Sequence, residues 1–163
     1  MDPNLFTDVL ISKLIGEEKI ITEPPKKDFR VENQHLRNDF DLASLDDKRR
    51  YSVFLRKHIS FKENFSIGLV YHSEEGTTIQ LFRCNGNHGE VVVDILNPIP
   101  HFGYHTHKIN AGLIENNIND PKQSEMTKEY ASFEQALIYF CKHVNIKDAD
   151  SYFPNIYQIN MFE

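Results

Sequence analysis

Between residues 49 and 84 the sequence repeats with a period of two. Tyr51, Val53 and Leu55 fall at alternate positions, then Phe65, Ile67, Leu69 and Tyr71, then Ile79 and Leu81. Successive side chains of an extended chain point to opposite faces, so each run offers one apolar edge to a core. A helix would scatter the same residues around its circumference. Short polar stretches separate the runs, and Ser73-Glu74-Glu75-Gly76 reads as a hairpin turn. Strands joined by turns that short are antiparallel neighbours. Residues 35–42 alternate more weakly. Residues 90–96 are β-branched enough for a further strand, which Asn97, Pro98 and Pro100 stop. The pattern predicts an antiparallel meander of five or more strands over residues 29–109.

The flanks carry a different period. Leu5, Phe6, Val9, Leu10, Leu14 and Ile15 recur at helical spacing, with Asp2 as the cap and Pro3 at the first helical position. This predicts a helix over 2–18. Glu23-Pro24-Pro25-Lys26-Lys27 then reads as a hinge within a linker over 19–28. Residues 110–131 are polar and aperiodic, and form a loop that covers something or is partly helical. Ser132 and Gln135 make a capping box. Phe133, Ala136, Leu137, Phe140, Cys141 and Val144 give the helix over 132–145 one apolar face. The tail over 146–163 holds Phe153, Tyr157 and Ile159 and packs back on the domain or on a second copy, leaving a homodimer open. The expected fold is a single α+β domain over 1–163, with the N-terminal and C-terminal helices on one face of the sheet.

Charge limits the partners. The net charge of −6 argues against a broad nucleic-acid surface. Residues 28–108, however, carry 10 Lys and Arg against 11 Asp and Glu, with seven of the eight histidines. A locally basic cleft is compatible with that balance. The sequence has no apolar run approaching a membrane span and no basic cluster ahead of an apolar run. Cys84 and Cys141 stand far apart in unrelated contexts and read as reduced thiols. These features predict a cytoplasmic protein without membrane contact.

The chemistry concentrates in residues 100–108. In an extended chain Phe102, Tyr104 and Thr106 point one way, and His101, Gly103, His105 and His107 the other. Side chains two apart on a strand lie roughly 6.5–7 Å apart, so His105 and His107 can share one metal or flank one phosphate. A metal needs a third ligand from elsewhere, with His58, His88 and Asp94 as candidates. Metal-free cleavage of RNA needs a base, an acid and a cation for the charged phosphorane. Two histidines supply the first two, and arginine the third. The candidate catalytic set is His105, His107, Arg56, His58 and Arg83. Arg83 alternates with Ile79 and Leu81, so period two also allows it at the rim of the core. His35 and His72 read as surface residues, and Lys48-Arg49-Arg50 as a solvated strand start.

The order of these residues resembles a family of small bacterial proteins of unknown function. The layout is Leu81-x-Arg83-x-Asn85-Gly86-x-His88, then Asn97, then His105-x-His107 after an aromatic, a polar loop and a helix ending near Asn145. The likeness covers roughly residues 50–146. The family usually places a second polar residue after Gly-x-His, where this chain has Val91, Val92 and Val93. The chain is more loosely similar to toxin–antitoxin proteins with a Pro-His-His-x-His segment, which implies RNA or nucleotide chemistry. Three readings stand: a toxin-like nuclease or phosphoesterase needing no cofactor, a divalent-metal site on the same histidines, and a non-catalytic module that binds a cognate protein.

Overall fold

The alternating runs form the middle of one eight-stranded antiparallel sheet. The computed structural model describes residues 6–87 and 103–161, with side chains as far as residue 158. The element order is α1 (Asp8–Gly16), β1 (Lys19–Glu23), β2 (Arg30–Glu32), β3 (His35–Ser44), β4 (Arg50–His58), β5 (Phe65–His72), β6 (Thr78–Asn85), β7 (His105–Lys108), α2 (Ala111–Glu115), β8 (Ser124–Met126), α3 (Phe133–His143), α4 (Ala149–Tyr152) and α5 (Pro154–Met161). From β3 to β8 the strands lie in chain order. β1 and β2 both pair with β3, β1 near its end and β2 near its start. The α+β class and the antiparallel sheet agree with the sequence pattern.

Cross-strand partners share a face, so the register sorts the side chains. Phe40, Val53, Leu69, Phe82 and Lys108 form one row across five strands. Its members meet α1, α3 and the link between α4 and α5. Phe82 stacks on Phe140 with ring centroids 6.1 Å apart, Phe40 meets Phe153 at 5.5 Å, and Lys108 Nζ donates to Ser12 Oγ at 3.1 Å. The flanking rows add Leu42, Tyr51 and Ile79 on one side and Leu55, Ile67 and Cys84 on the other, all buried. Each large apolar side chain so buried contributes about 1.5–3 kcal/mol. This face is therefore the main source of stability.

Strand β6 carries one irregularity. Leu69 pairs with Phe82 but Val70 pairs with Gln80, so Leu81 is an extra residue in β6. Such a bulge reverses the phase of a strand beyond it. Ile79 and Phe82 share the core face, and Arg83 goes to the opposite face.

Several boundaries differ from those expected. The first helix starts at Asp8, not near residue 2, because Thr7 is its cap and its side chain accepts from the Leu10 N–H. Asp2 and Pro3 lie outside the described residues. The linker over 19–28 begins with a strand: Lys19 and Ile21 turn inward and β1 pairs with β3 until Pro24 and Pro25 end it. The sheet extends past residue 109, since the loop over 110–131 contains both α2 and β8. The histidine strand is short. It spans His105–Lys108, because Gly103 has φ of +87° and breaks the extended run. The strand expected at 90–96, and His101 and Phe102, lie outside the described residues.

Elsewhere the local chemistry does what it should. Ser132 caps α3 by accepting from the Gln135 N–H, and Gln135 Oε1 accepts in return from the Ala131 N–H. At the other end Asn145, with φ of +64°, closes the helix. Its N–H donates to Lys142 O and that of Ile146 to Cys141 O, the paired bonds of a Schellman cap. Lys19 joins the two long helices. Its buried ammonium donates to Ile15 O, Glu17 O and Val144 O, at the C-terminal ends of α1 and α3. Burial pulls Lys19 down to about 7, against the attraction of Glu17. Glu17 also pairs with Arg49 and accepts from Tyr51, so the supposed solvated basic run is partly anchored. The tail packs back on the chain through Phe153, Ile156 and Tyr157. Cys84 and Cys141 are free thiols, both buried.

Candidate functional site

The rows on the other face carry the polar chemistry. One runs Asp39, Phe54, Gly68, Arg83, His107, Ser124. The next runs Arg37, Arg56, Ser66, Asn85, His105, Met126. His105 and His107 therefore do share a face, opposite Tyr104, whose ring meets Phe65 and Tyr130. Their rings stand edge to face with centroids 5.0 Å apart. They are not open to solvent. His105 is 1% exposed and His107 2%.

Hydrogen bonding fixes several rings. His105 Nδ1 lies 3.0 Å from Gly103 O. A carbonyl can only accept, so Nδ1 carries a proton. Tyr130 anchors the strand beneath. Its buried hydroxyl lies 2.9 Å from both His105 O and Asn85 O and shares its proton between them.

Arg83 sits directly across from His107. Its Nε donates to Asn85 Oδ1 at 2.8 Å and its Nη1 to Gln80 Oε1 at 2.9 Å. Asn85 Nδ2 donates in turn to Ser66 Oγ. These partners are neutral. They aim the guanidinium without cancelling its charge. Burial lowers the Arg83 pKa, Asp120 opposes this from beyond ion-pair distance, and Arg56 lowers it further. Arg56 is lowered by burial and by Arg37. Its Nη2 donates to His35 Nε2 at 3.2 Å, and its buried Nε has no hydrogen-bond partner among the described residues. Among those residues neither Arg56 nor Arg83 forms an ion pair with a carboxylate, whereas Arg30, Arg37, Arg49 and Arg50 all do.

The expected residues are thus only partly gathered. Arg83 and His107 are neighbours, and His105 stands in the adjacent row. Arg56 shares their face but lies three strands from His105, about 14 Å at ordinary strand spacing. His58 is drawn away. It pairs with His35, its ring packs against His35 and Phe61, and its Nδ1 accepts from the Ser60 and Phe61 N–H groups. His88 and Asp94 lie outside the described residues. Among the described residues, no three His, Cys, Asp or Glu side chains are arranged to hold a metal ion. No helix among them is long and apolar enough to cross a membrane. Sequence reasoning gave Asn85 no role beyond its place in the motif, and missed Gln80, Ser66 and Phe54. The signal for Asn85 was its place two residues after Arg83; the other three carried none.

Comparisons with protein-family models, with curated proteins and with solved structures found no match. The site has to be read from its own geometry.

Proposed function

We propose that the protein binds the phosphate of an RNA or nucleotide on the face that carries Arg56 and Arg83. One observation carries this reading. Two half-buried guanidinium groups share one face, two strands apart in adjacent rows, and neither has a carboxylate ion pair among the described residues. Partly burying a cation without a counter-ion costs free energy. A phosphate supplies the missing charge and the acceptors for a bidentate contact. We further infer that the helices cover the other face and that the ligand meets this one at the half-buried Arg56 and Arg83, beside the buried histidines.

The histidine pair extends binding to chemistry. His105 Nε2 takes the proton of a 2′-hydroxyl as that oxygen attacks phosphorus. His107, beside Arg83, gives a proton to the departing 5′-oxygen. The products are a 2′,3′-cyclic phosphate and a 5′-hydroxyl, and Arg83 steadies the charge between them. A divalent-metal version is supported by the His105 Nδ1–H bond to a backbone carbonyl, the arrangement that orients metal-bound imidazoles.

The test expresses the wild type and the His105→Ala/His107→Ala variant and follows labelled single-stranded RNA. The wild type should cleave it, and the variant should lose roughly 10²–10⁴-fold or more when both are assayed well below the melting temperature of the variant, which the loss of two buried rings lowers. Loss on chelation assigns the metal version, and retention the metal-free one. If phosphate ligands bind equally to wild type and Arg83→Met, the proposal fails and the protein-binding module becomes the better account.

A further inference from the structure

The row that holds Arg83 contains a second feature that the phosphate reading does not use. Gly68 lies between Phe54 on β4 and Arg83 on β6. A Cβ on Gly68 would fall 2.1 Å from Phe54 Cε1 and 2.2 Å from Cζ. The tip of the Phe54 ring therefore stands directly over β5, in space that any side chain at position 68 would fill. From there to β6 is one strand spacing, about 4.8 Å. Phe54 is half-buried, and among the described residues its ring stacks on no other ring. It packs on a bare backbone below and sits one strand away from a guanidinium that has no counter-ion among the described residues.

We infer that the ligand is single-stranded, with one base laid flat on Phe54 while the adjoining phosphate engages Arg83. This rests on the phosphate reading and narrows its substrate class. Aromatic rings on sheet surfaces take unpaired bases because every base has a π-face, so the contact tolerates sequence. A base held in a duplex has both faces covered by its neighbours and cannot lie on the ring. Gly68 matters because it lets the ring settle on the sheet, at a height where base and phosphate can be reached together. Arg83 supplies charge to any phosphate; Phe54 is what separates a nucleotide strand from inorganic phosphate.

The chain contains no Trp, so Phe54→Trp installs a single fluorescent reporter at this point. Three probes are titrated: oligo-uridylate, the same strand annealed to oligo-adenylate, and pyrophosphate. Oligo-uridylate should quench the reporter, while the duplex and pyrophosphate leave it nearly unchanged. Phe54→Leu, which keeps an apolar cover over Gly68, should bind the single strand roughly 5- to 150-fold more weakly. It should bind pyrophosphate as the wild type does. Melting temperatures confirm that each variant is folded. Wild-type affinity of Phe54→Leu for oligo-uridylate, or equal quenching by the duplex, would overturn the inference and leave the phosphate site standing. Pyrophosphate binding that Arg83→Met leaves unchanged would remove the phosphate site and this inference together.

Discussion

Arg56→Met separates a binding residue from a structural one, because the two roles give opposite signs. Among the described residues Arg56 makes one hydrogen bond, to His35 Nε2 at 3.2 Å, and leaves its buried Nε without a partner. It also stands beside the like charge of Arg37. Met keeps most of the apolar stem and removes the polar head. The lost hydrogen bond is long and partly solvated, worth about 0.5–1.5 kcal/mol. The buried donor that disappears was costing about 1–3 kcal/mol. The net change is a gain of about 1 kcal/mol, or about 2–4 °C in melting temperature for a chain of this size. Affinity should move the other way. A charge-assisted contact to phosphate is worth about 1.5–3 kcal/mol, a factor of roughly 10 to 150. Calorimetric melting and titration with pyrophosphate and oligo-uridylate measure both, and the wild-type affinity should fall with added salt. A destabilisation beyond about 2 kcal/mol with unchanged affinity would mark Arg56 as a strut and refute the reasoning.

Three further expectations concern the frame around the site. Tyr130→Phe removes the hydroxyl between Asn85 O and His105 O; it should cost about 1–3 kcal/mol and speed amide exchange in β7, and unchanged exchange would contradict it. Ser132→Ala should lower stability by about 1 kcal/mol in urea unfolding through loss of the α3 cap, with ligand affinity unaffected. Lys19 has a folded-state pKa of about 7, below its usual 10.5. The unfolded chain thus binds more protons between these values, and the Lys19 contribution to stability grows as pH rises from about 7 to about 10 and is lost as pH falls through 7. The stability difference between wild type and Lys19→Met should rise over that range; a flat difference would mean that the three carbonyls keep the ammonium charged throughout.

Much of the sheet was legible because its strands are half-buried, and a half-buried strand writes its period into the sequence. Residues 49–84 show this at every second position. The elements that were missed lack that period. β1 was hidden because Lys19 is a core residue here, satisfied by three helix-end carbonyls, one of them far away in sequence. The β2–β3 hairpin turns at Asn33 and Gln34, both at positive φ, without the glycine that usually marks such a turn. β8 has three residues, too few to show alternation. In the site, spacing gave the shared face of His105 and His107. It could not give their burial, which depends on long-range packing. Nor could it give the position of His58, which Phe61 and two backbone N–H groups capture locally.

Arg83 shows why the remainder was hidden. Period two from Ile79 and Leu81 points it into the core, where an arginine without a carboxylate would be severely destabilising. The bulge at Leu81 inserts one residue and carries Arg83 to the other face, beside His107. No composition rule marks that bulge, since Leu81 is itself fully buried. Its consequences are specific. The guanidinium gains two neutral acceptors, Asn85 and Gln80, which fix its direction and leave its charge in place. Across the row Gly68 leaves the space that the tip of the Phe54 ring occupies. A bulge, a glycine and two amides are none of them features that a regular sheet needs. Gln80, Gly68 and Asn85 fall in three adjacent rows of one face, around the two arginines that lack counter-ions among the described residues. That coincidence is the structural ground of the proposed anion site.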